Sequence, residues 1–252
     1  MNRFPTSLSL LLPALYACCL LPCAGLNAIA QGGGSPAFTE DFESGAINKN
    51  VWTELVQGDA TIKVASGDAA HGKYALVAHY PQGTNRSLAF IVTSHLPDEL
   101  RLHYFGRAYV KITPKLPMRH TVLLLSGTSG YPMSNFLEIG DYNGTLQTSY
   151  QLNAEPRPKR GEAVHHGPVL PTGKWICLEW EFNDNPDQIN VWIDGQKVDE
   201  AEFTFRDAGN RHLVNGFTDA AFGTRVWGDA PEAFDVSYDD IALGTSRIGT
   251  IQ

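Results

Sequence analysis

Residues 103–113 have the sequence His-Tyr-Phe-Gly-Arg-Ala-Tyr-Val-Lys-Ile-Thr, in which small or apolar residues alternate with basic and aromatic ones. Side chains of a β-strand point alternately to its two faces. One face therefore carries Tyr104, Gly106, Ala108, Val110 and Ile112, a set that suits the interior of a β-sandwich. The opposite face carries His103, Phe105, Arg107, Tyr109 and Lys111. Flat rings offer stacking surfaces and basic groups pair with carboxylates, so this face is predicted to line a binding groove; an ordinary exposed strand is the alternative.

Short segments of the same kind, bounded by Gly, Pro, Asn or Asp, occupy the rest of the chain from Phe38 onward. Their spacing of about 8–12 residues is typical of a sandwich or a jelly roll. Predicted strands cover residues 61–65, 74–80, 87–94, 103–113, 121–126, 136–141, 147–152, 175–183, 188–194, 221–227 and 234–243. The long loop 155–171 is predicted to be irregular. We therefore expect an all-β jelly roll, a two-sheet antiparallel sandwich that forms a single domain over residues 37–252.

The first thirty residues carry the features of a signal peptide: a basic Arg3, an apolar stretch over 8–21 and the small-x-small pattern Ala28-Ile-Ala30. Residues 31–36, Gln-Gly-Gly-Gly-Ser-Pro, are predicted to be a flexible lead-in. No stretch approaches the roughly 18 apolar residues of a membrane-spanning helix. The sequence thus predicts a secreted protein, extracellular or periplasmic. Only Cys177 then remains, and it is expected to be a buried free thiol.

The chain has a formal net charge of −8, with 19 basic and 27 acidic residues. A protein that binds nucleic acid through an overall basic surface is therefore not expected. The predicted partner is a polysaccharide, acidic in character because of the basic groove, and the protein is expected to be a monomer.

The basic and aromatic groove predicts a polysaccharide lyase. β-Elimination needs a cation or amide to neutralise the uronate carboxylate, a base to take the proton on C5 and an acid for the leaving oxygen. Arg107 is the predicted neutraliser, His103 or His120 the base, and Tyr109 or Tyr150 the proton donor. Further substrate contacts are predicted for Phe105, Lys111, Gln147, Arg225 and Trp227.

Two other functions stay open from the residues. A lectin-like module would bind sugars in the same groove without catalysis. A glycoside hydrolase would use Glu179 and Glu181, which lie on one face of a strand about 7 Å apart. A solvent-facing strand is the alternative to that pair.

Acidic residues near both ends of the domain suggest a metal site. Glu43 lies where the domain opens and Asp240 where it closes, and the terminal strands of a jelly roll are neighbours. Together with backbone carbonyls they are predicted to hold one structural Ca²⁺ ion, with strand-end surface acids as the alternative.

Five motifs carry a resemblance to a known superfamily. They are Phe-Glu-Ser-Gly at 42–45, Gly-Arg-Ala-Tyr-Val at 106–110, Gly-Lys-Trp with Glu-Trp-Glu-Phe between 173 and 182, Val-Trp-Ile-Asp-Gly at 191–195 and Tyr-Asp-Asp-Ile-Ala-Leu-Gly at 238–244. The domain resembles the concanavalin A-like lectins and glucanases. More narrowly, it is similar to bacterial relatives of the fungal cellulose-induced jelly-roll proteins, a group linked to glucuronan lyase activity. The resemblance implies a carbohydrate ligand and calcium, with His103 and Arg107 on the groove strand and Glu43 and Asp240 near the ion.

Overall fold

The structure is a computed structural model that describes residues 35–83, 87–93, 95–128, 135–152, 159–163, 167–184, 187–204 and 216–251. Residues 151, 152, 159–163, 187, 203 and 204 are described by their backbone alone. The predicted signal peptide lies outside the described residues. Within those residues, no helix is long and apolar enough to cross a membrane.

Antiparallel strands form almost all of the regular structure. In chain order they are β1 (Phe38–Glu40), β2 (Thr53–Gln57), β3 (Thr61–Ser66), β4 (Tyr74–Tyr80), β5 (Leu88–Thr93), β6 (His103–Thr113), β7 (His120–Gly127), β8 (Phe136–Tyr142), β9 (Thr145–Leu152), β10 (Lys159–Ala163), β11 (Trp175–Asp184), β12 (Asp187–Ile193), β13 (Gln196–Lys197), β14 (Phe203–Thr204), β15 (Asp219–Trp227) and β16 (Phe234–Gly244). Two 3-10 turns lie at Asp98–Leu100 and Asp199–Ala201.

The strands form two sheets. The first has the order β13-β12-β11-β6-β16-β4-β3, with β1 beside β16 and β14 beside β12. The second has the order β10-β9-β8-β7-β15-β5-β2. The predicted all-β jelly-roll class is confirmed, and the predicted strands recur with ends shifted by at most two residues. The prediction of an irregular loop over 155–171 was wrong in part, because the backbone of β10 pairs with β9.

Two of the hairpins turn on residues with left-handed backbone conformation. Asn143 and Gly144, with φ of 54° and 90°, connect β8 to β9, and Asp194 and Gly195, with φ of 49° and 79°, connect β12 to β13. Asn-Gly and Asp-Gly favour the type I′ turn, whose twist matches that of the flanking strands. The turn at Asn143 fixes the register in which β8 faces β9.

The main core lies between the two sheets and contains the alternate residues of β6 that were predicted to point inward. Position 106 shows how tightly the core packs. A Cβ added to Gly106 would lie 2.1 Å from ring atoms of Trp180, so the indole lies directly on the backbone of β6. Cys177 is a buried free thiol, as predicted, and burial raises its pKa to about 12.

A second, smaller apolar cluster lies on the outer face of the second sheet, away from the main core. Its buried members are Leu88, Phe90, Val122 and Ala221. The second sheet is therefore apolar on part of its outer face as well as on its inner one. This outer face continues into the polar residues of β7, β8 and β9.

Candidate functional site

The basic and aromatic face of β6 is the outer face of the first sheet. Burial alternates along the strand as predicted, with His103, Phe105, Arg107, Tyr109 and Lys111 each partly exposed. Their polar groups contact other parts of the same chain. His103 Nε2 lies 2.7 Å from Glu181 Oε1, and Lys111 Nζ donates to Asp68 at 2.7 Å.

Residues 245–251, which we call the C-terminal segment, lie across the middle of this face. Arg107 donates to the carbonyl of Gly249 at 3.3 Å and to that of Asp240 at 3.3 and 3.4 Å. The backbone N–H of Ile251 donates to Tyr109 Oη at 2.9 Å. Arg107, the predicted carboxylate neutraliser, thus binds carbonyl oxygens of its own chain.

The carboxylate pair considered for hydrolysis lies on the same face. Glu179 is 1% exposed and accepts from Arg247 Nη2 at 2.7 Å, Arg247 Nε at 3.2 Å and the backbone N–H of Gly249 at 2.9 Å. Glu181 contacts His103 and accepts from Asn190 Nδ2 at 2.7 Å. Both acids hold structural partners, an arrangement that does not favour a hydrolytic pair.

The remaining predicted residues lie on the second sheet. Strand register aligns three rows of outward-facing side chains across β15, β7, β8 and β9. The first row is Trp227, His120, Tyr142 and Thr145; the second is Arg225, Val122, Gly140 and Gln147; the third is Ala221, Leu125, Glu138 and Ser149. The prediction of one groove that joins the β6 face to His120 and Gln147 was therefore wrong. Alternation assigns a side chain to a face of its own sheet, and these strands belong to different sheets.

Four polar residues of these rows make up what we call the central cluster: His120, Glu138, Gln147 and Ser149. His120 Nε2 lies 2.5 Å from Glu138 Oε1, and Ser149 Oγ donates to the same oxygen at 3.3 Å. Glu138 and Ser149 are buried although they lie on the outer face of the sheet. A buried carboxylate is stable only when it is hydrogen-bonded, and these two side chains provide that contact.

The absence of a side chain at position 140 lets His120 and Glu138 meet. His120 is opposite Tyr142, four residues along β8 from Glu138, and Gly140 lies between the two. A Cβ at Gly140 would lie 2.2 Å from the carbonyl oxygen of Thr121, so the backbone permits only glycine there. The imidazole and the carboxylate therefore reach each other across a bare stretch of β8.

Gln147 lies directly opposite Gly140 and is 1% exposed. Among the residues that the structure describes, neither its Oε1 nor its Nε2 has a hydrogen-bond partner. Leaving buried polar atoms unpaired costs free energy, and native structures rarely do so without a reason such as a ligand. Gln147 is thus the strongest indication of a binding site on this sheet.

Exposed aromatic groups form one rim of the central cluster. The guanidinium of Arg225 lies 3.7 Å from the ring centre of Trp227, and Trp227 and Tyr142 are each more than a third exposed. The His120 ring lies 6.5 Å from Trp227 and 6.4 Å from Tyr142, centre to centre. This rim offers flat rings and a cation beside the imidazole.

Tyr150 and Asp141 lie on the same strands as the central cluster but on the inner side of the sheet. Tyr150, a predicted proton donor, packs against the main core on the side of β9 away from Gln147, and the structure does not bring it to the central cluster. Asp141 lies on the inner side of β8, where it accepts the backbone N–H of Gly144 at 3.0 Å. Burial raises the pKa of Asp141 to about 6, against the attraction of His120.

The two predicted calcium ligands face the same loop. Glu43 Oε1 accepts the backbone N–H groups of Lys73 and Tyr74 at 2.8 and 2.9 Å, and these bonds lower the pKa of Glu43. Asp240 Oδ2 lies 2.5 Å from His71 Nδ1. Within the described parts of the chain, no three His, Cys, Asp or Glu side chains are grouped to hold a metal ion. The donors fit calcium only in part, because the ion takes six to eight oxygens.

Comparison with known proteins identifies the family. Residues 41–246 match the polysaccharide-lyase-like family described as the Cip1-like core domain. The chain belongs to the Cip1-like family. No curated protein sequence matches it significantly.

Solved structures share the fold of this Cip1-like protein. The cellulose-induced protein Cip1 is 18% identical with a TM-score of 0.65, and the match covers 85% of this chain and 100% of Cip1. The endo-β-1,4-glucuronan lyase from the fungus Trichoderma reesei is 17% identical with a TM-score of 0.60, covering 84% of this chain and 96% of the lyase. A sialidase is 11% identical with a TM-score of 0.54, covering 82% of this chain and 18% of the sialidase. At these identities the likeness establishes the fold.

Sequence reasoning found His120, Gln147, Arg225 and Trp227 but missed Glu138 and Tyr142 as members of their site. Glu138 and Asp141 are three positions apart on β8 and point to opposite faces, since Glu138 contacts Ser149 on the outer face and Asp141 is opposite Leu146 of the main core. The signal that identifies this face is an alternation along β8 of Glu138, Gly140 and Tyr142. The neighbouring strand begins with His120.

Proposed function

We propose that this protein is a polysaccharide lyase that cleaves a uronate-containing polymer by β-elimination at the central cluster. The observation that carries the proposal is the buried amide of Gln147, which has no hydrogen-bond partner within the described part of the chain and lies beside the His120–Glu138 contact. Membership of a polysaccharide-lyase-like family supports the substrate class. The fold shared with a glucuronan lyase supports it further.

Each step of the elimination has a candidate group. A base removes the proton on C5, the C–H electron pair forms the C4=C5 double bond, and the C4–O bond breaks while its oxygen takes a proton from an acid. His120 is our base, and Tyr142, on the neighbouring strand, is our acid. The Gln147 amide N–H groups neutralise the sugar carboxylate and so make the C5 proton more acidic.

The sugar carboxylate would be held by side chains of the second row. Arg225 and Gln147 stand at its two ends, with Val122 and the bare Gly140 between them. A guanidinium and an amide both donate hydrogen bonds to carboxylates. Since the Gln147 amide is enclosed, entry of the sugar requires local opening of this outer face.

The test follows release of the unsaturated uronate by ultraviolet absorbance, with a panel of polyuronates as substrates. We expect product from the wild-type protein and a loss of at least about a hundredfold in His120→Ala, since general-base catalysis contributes that much or more. His103→Ala is the matched control on the first sheet and should keep wild-type activity. A flat trace on every polymer from folded wild-type protein, or an active His120→Ala variant, would overturn the proposal.

A second candidate function is a carbohydrate-binding module without catalysis. The exposed ring of Trp227 with the Arg225 guanidinium against it favours this function, because such a platform can hold a sugar without any proton transfer. Affinity electrophoresis in polyuronate gels would then show retardation that Trp227→Ala abolishes, while no unsaturated product forms. Product formation in the absorbance assay decides between the two functions.

We also propose that a structural Ca²⁺ ion binds at Glu43 and Asp240. Support comes from the two carboxylates, which both contact residues 71–73, and from the left-handed backbone of Asp240, whose φ is 47°. Calcium at a hundred times its dissociation constant would stabilise the fold by about 2.7 kcal/mol. Calcium should raise the thermal midpoint of the wild-type protein and leave that of Asp240→Ala unchanged; equal effects on both would refute the site.

Export and oligomeric state belong to the same proposal. We propose that residues 1–30 are removed on secretion and that the mature protein acts as a monomer. N-terminal sequencing of the exported protein and light scattering test the two statements. A start far from Gln31, or a mass of two or more chains, would contradict them.

A further inference from the structure

We propose that Glu138 is a positioning residue for His120: it accepts the hydrogen bond of Nε2–H, so that Nδ1 carries the basic lone pair, and it stabilises the imidazolium formed when His120 takes the proton. This inference rests on the proposed lyase function. It assigns to a buried acid a role that neither strand alternation nor family membership indicates.

The contacts of Glu138 favour this role. Its carboxylate is buried, and Oε1 contacts side chains from two different strands: His120 Nε2 of β7 lies at 2.5 Å, and Ser149 Oγ of β9 donates at 3.3 Å. Ser149 therefore fixes the carboxylate from the side away from the imidazole. Gly140 lies between Glu138 and Tyr142 on this face of β8, and a Cβ there would clash with the carbonyl oxygen of Thr121.

The charge of Glu138 decides which nitrogen of the His120 ring carries the proton. An ionised carboxylate accepts hydrogen bonds only, so the ring nitrogen that faces it carries the proton, and the tautomer is set. Once the ring has accepted a second proton, the two groups form an ion pair in a largely water-free site. Among the described residues, Asp141 of β8 attracts the charge of His120, and Arg225 of β15 and Arg119 lie near His120 in register and in sequence.

The molecule contains a matched pair on its other sheet. His103 Nε2 lies 2.7 Å from Glu181 Oε1, which is nearly the same contact. Glu181 is further held by Asn190 Nδ2, and the buried amide atom without a partner there among the described residues is Asn190 Oδ1. Glu181→Gln therefore controls for the general effect of neutralising a glutamate that contacts a histidine.

The experiment compares the wild-type protein with Glu138→Gln, Glu138→Ala and Glu181→Gln. Glutamine keeps an acceptor for Nε2–H but removes the charge, so we expect kcat to fall by about tenfold to a hundredfold, as it does for outer partners of functional histidines. KM should change little, and the acidic limb of the pH–rate profile should move to lower pH because the imidazolium has lost its partner. Alanine should in addition abolish the tautomer preference, measured from the ¹⁵N shifts of the His120 ring. Glu181→Gln should match the wild-type protein in all of these.

The outcomes separate this inference from the lyase proposal. If Glu138→Gln lowers only the thermal midpoint and leaves the acidic limb and the ring tautomer as in the wild-type protein, Glu138 is structural and the inference is wrong. If the wild-type protein releases no unsaturated product, the lyase proposal fails and the role in catalysis fails with it. The ¹⁵N measurement then still decides whether Glu138 sets the tautomer.

Discussion

Replacing Gln147 with methionine should make the protein more stable and less active at once. The two side chains are similar in length and volume, so the change removes the polar atoms and leaves the packing nearly intact. Gln147 is 1% exposed, and neither of its amide atoms has a hydrogen-bond partner among the described residues, so removing them from water lowers the free energy of unfolding. Under the proposed function, hydrogen bonds from the amide to a bound sugar carboxylate offset this loss of stability.

The magnitude follows from the desolvation of one amide. An unsatisfied buried polar group costs about 1–3 kcal/mol, and Gln147→Met should regain most of that amount. For a domain of this size, 1 kcal/mol moves the thermal midpoint by about 2–4 °C. The variant should therefore melt roughly 2–10 °C above the wild-type protein, while the rate of β-elimination falls by about a hundredfold or more, as it does when a charge-stabilising donor is removed.

The assay is thermal and urea unfolding followed by circular dichroism, with Ser126→Ala as the control. Ser126 is equally buried, but its hydroxyl donates to the carbonyl of Asp219 at 2.7 Å. Its loss should lower stability by about 1 kcal/mol. If Gln147→Met were also destabilising, the amide would have partners in the folded protein, and the argument for a ligand at this position would be refuted.

Other perturbations test the two sheets separately. Arg247→Ala should lower the free energy of unfolding in urea by about 3 kcal/mol, because Glu179 is left charged and buried. A decrease below about 1 kcal/mol would contradict this. Gly106→Ala should cost about 1–3 kcal/mol or more by overpacking against Trp180, and a variant as stable as the wild-type protein would disprove the close contact. Asp141→Asn tests pH dependence. The pKa of Asp141 is raised to about 6 in the folded state, so the folded protein binds more protons than the unfolded chain, and stability falls as pH rises from about 4 to above 6. The Asn variant should remove that fall and gain about 2–3 kcal/mol at neutral pH; an unchanged pH–stability curve would show that burial does not perturb this acid.

Much of the fold could be predicted because its determinants are local. The alternation over 103–113 predicted both the extent of β6 and its buried face. The short strands β13 and β14 could not be predicted, since two residues carry no periodicity. The pairing of β10 with β9 could not be predicted because the sequence Lys159–Ala163 shows no apolar alternation.

The candidate site was predicted less completely, and the reason lies in the pairing of distant strands. His103 and His120 are separated by seventeen positions and appeared to be equivalent candidates, yet they contact different glutamates on different sheets. Nothing in the alternation of β6 indicates that residues 245–251 return to lie over Arg107 and Tyr109. An acid such as Glu138 becomes notable only when a glycine beside it and a histidine from the next strand are placed in register.

The sequence by itself determined that this chain is an all-β jelly roll and which side of its own strand each residue occupies, because side-chain alternation and turn residues are properties of neighbouring positions. Only the tertiary structure decided which strands share a sheet, and therefore that Glu138, Gln147 and His120 meet while Arg107 and Lys111 lie on the opposite side of the molecule. Strand order comes from long-range hydrogen bonding and from the packing of the two sheets on each other. Those interactions join segments that are far apart in the sequence, so the periodicity of a single segment does not predict them.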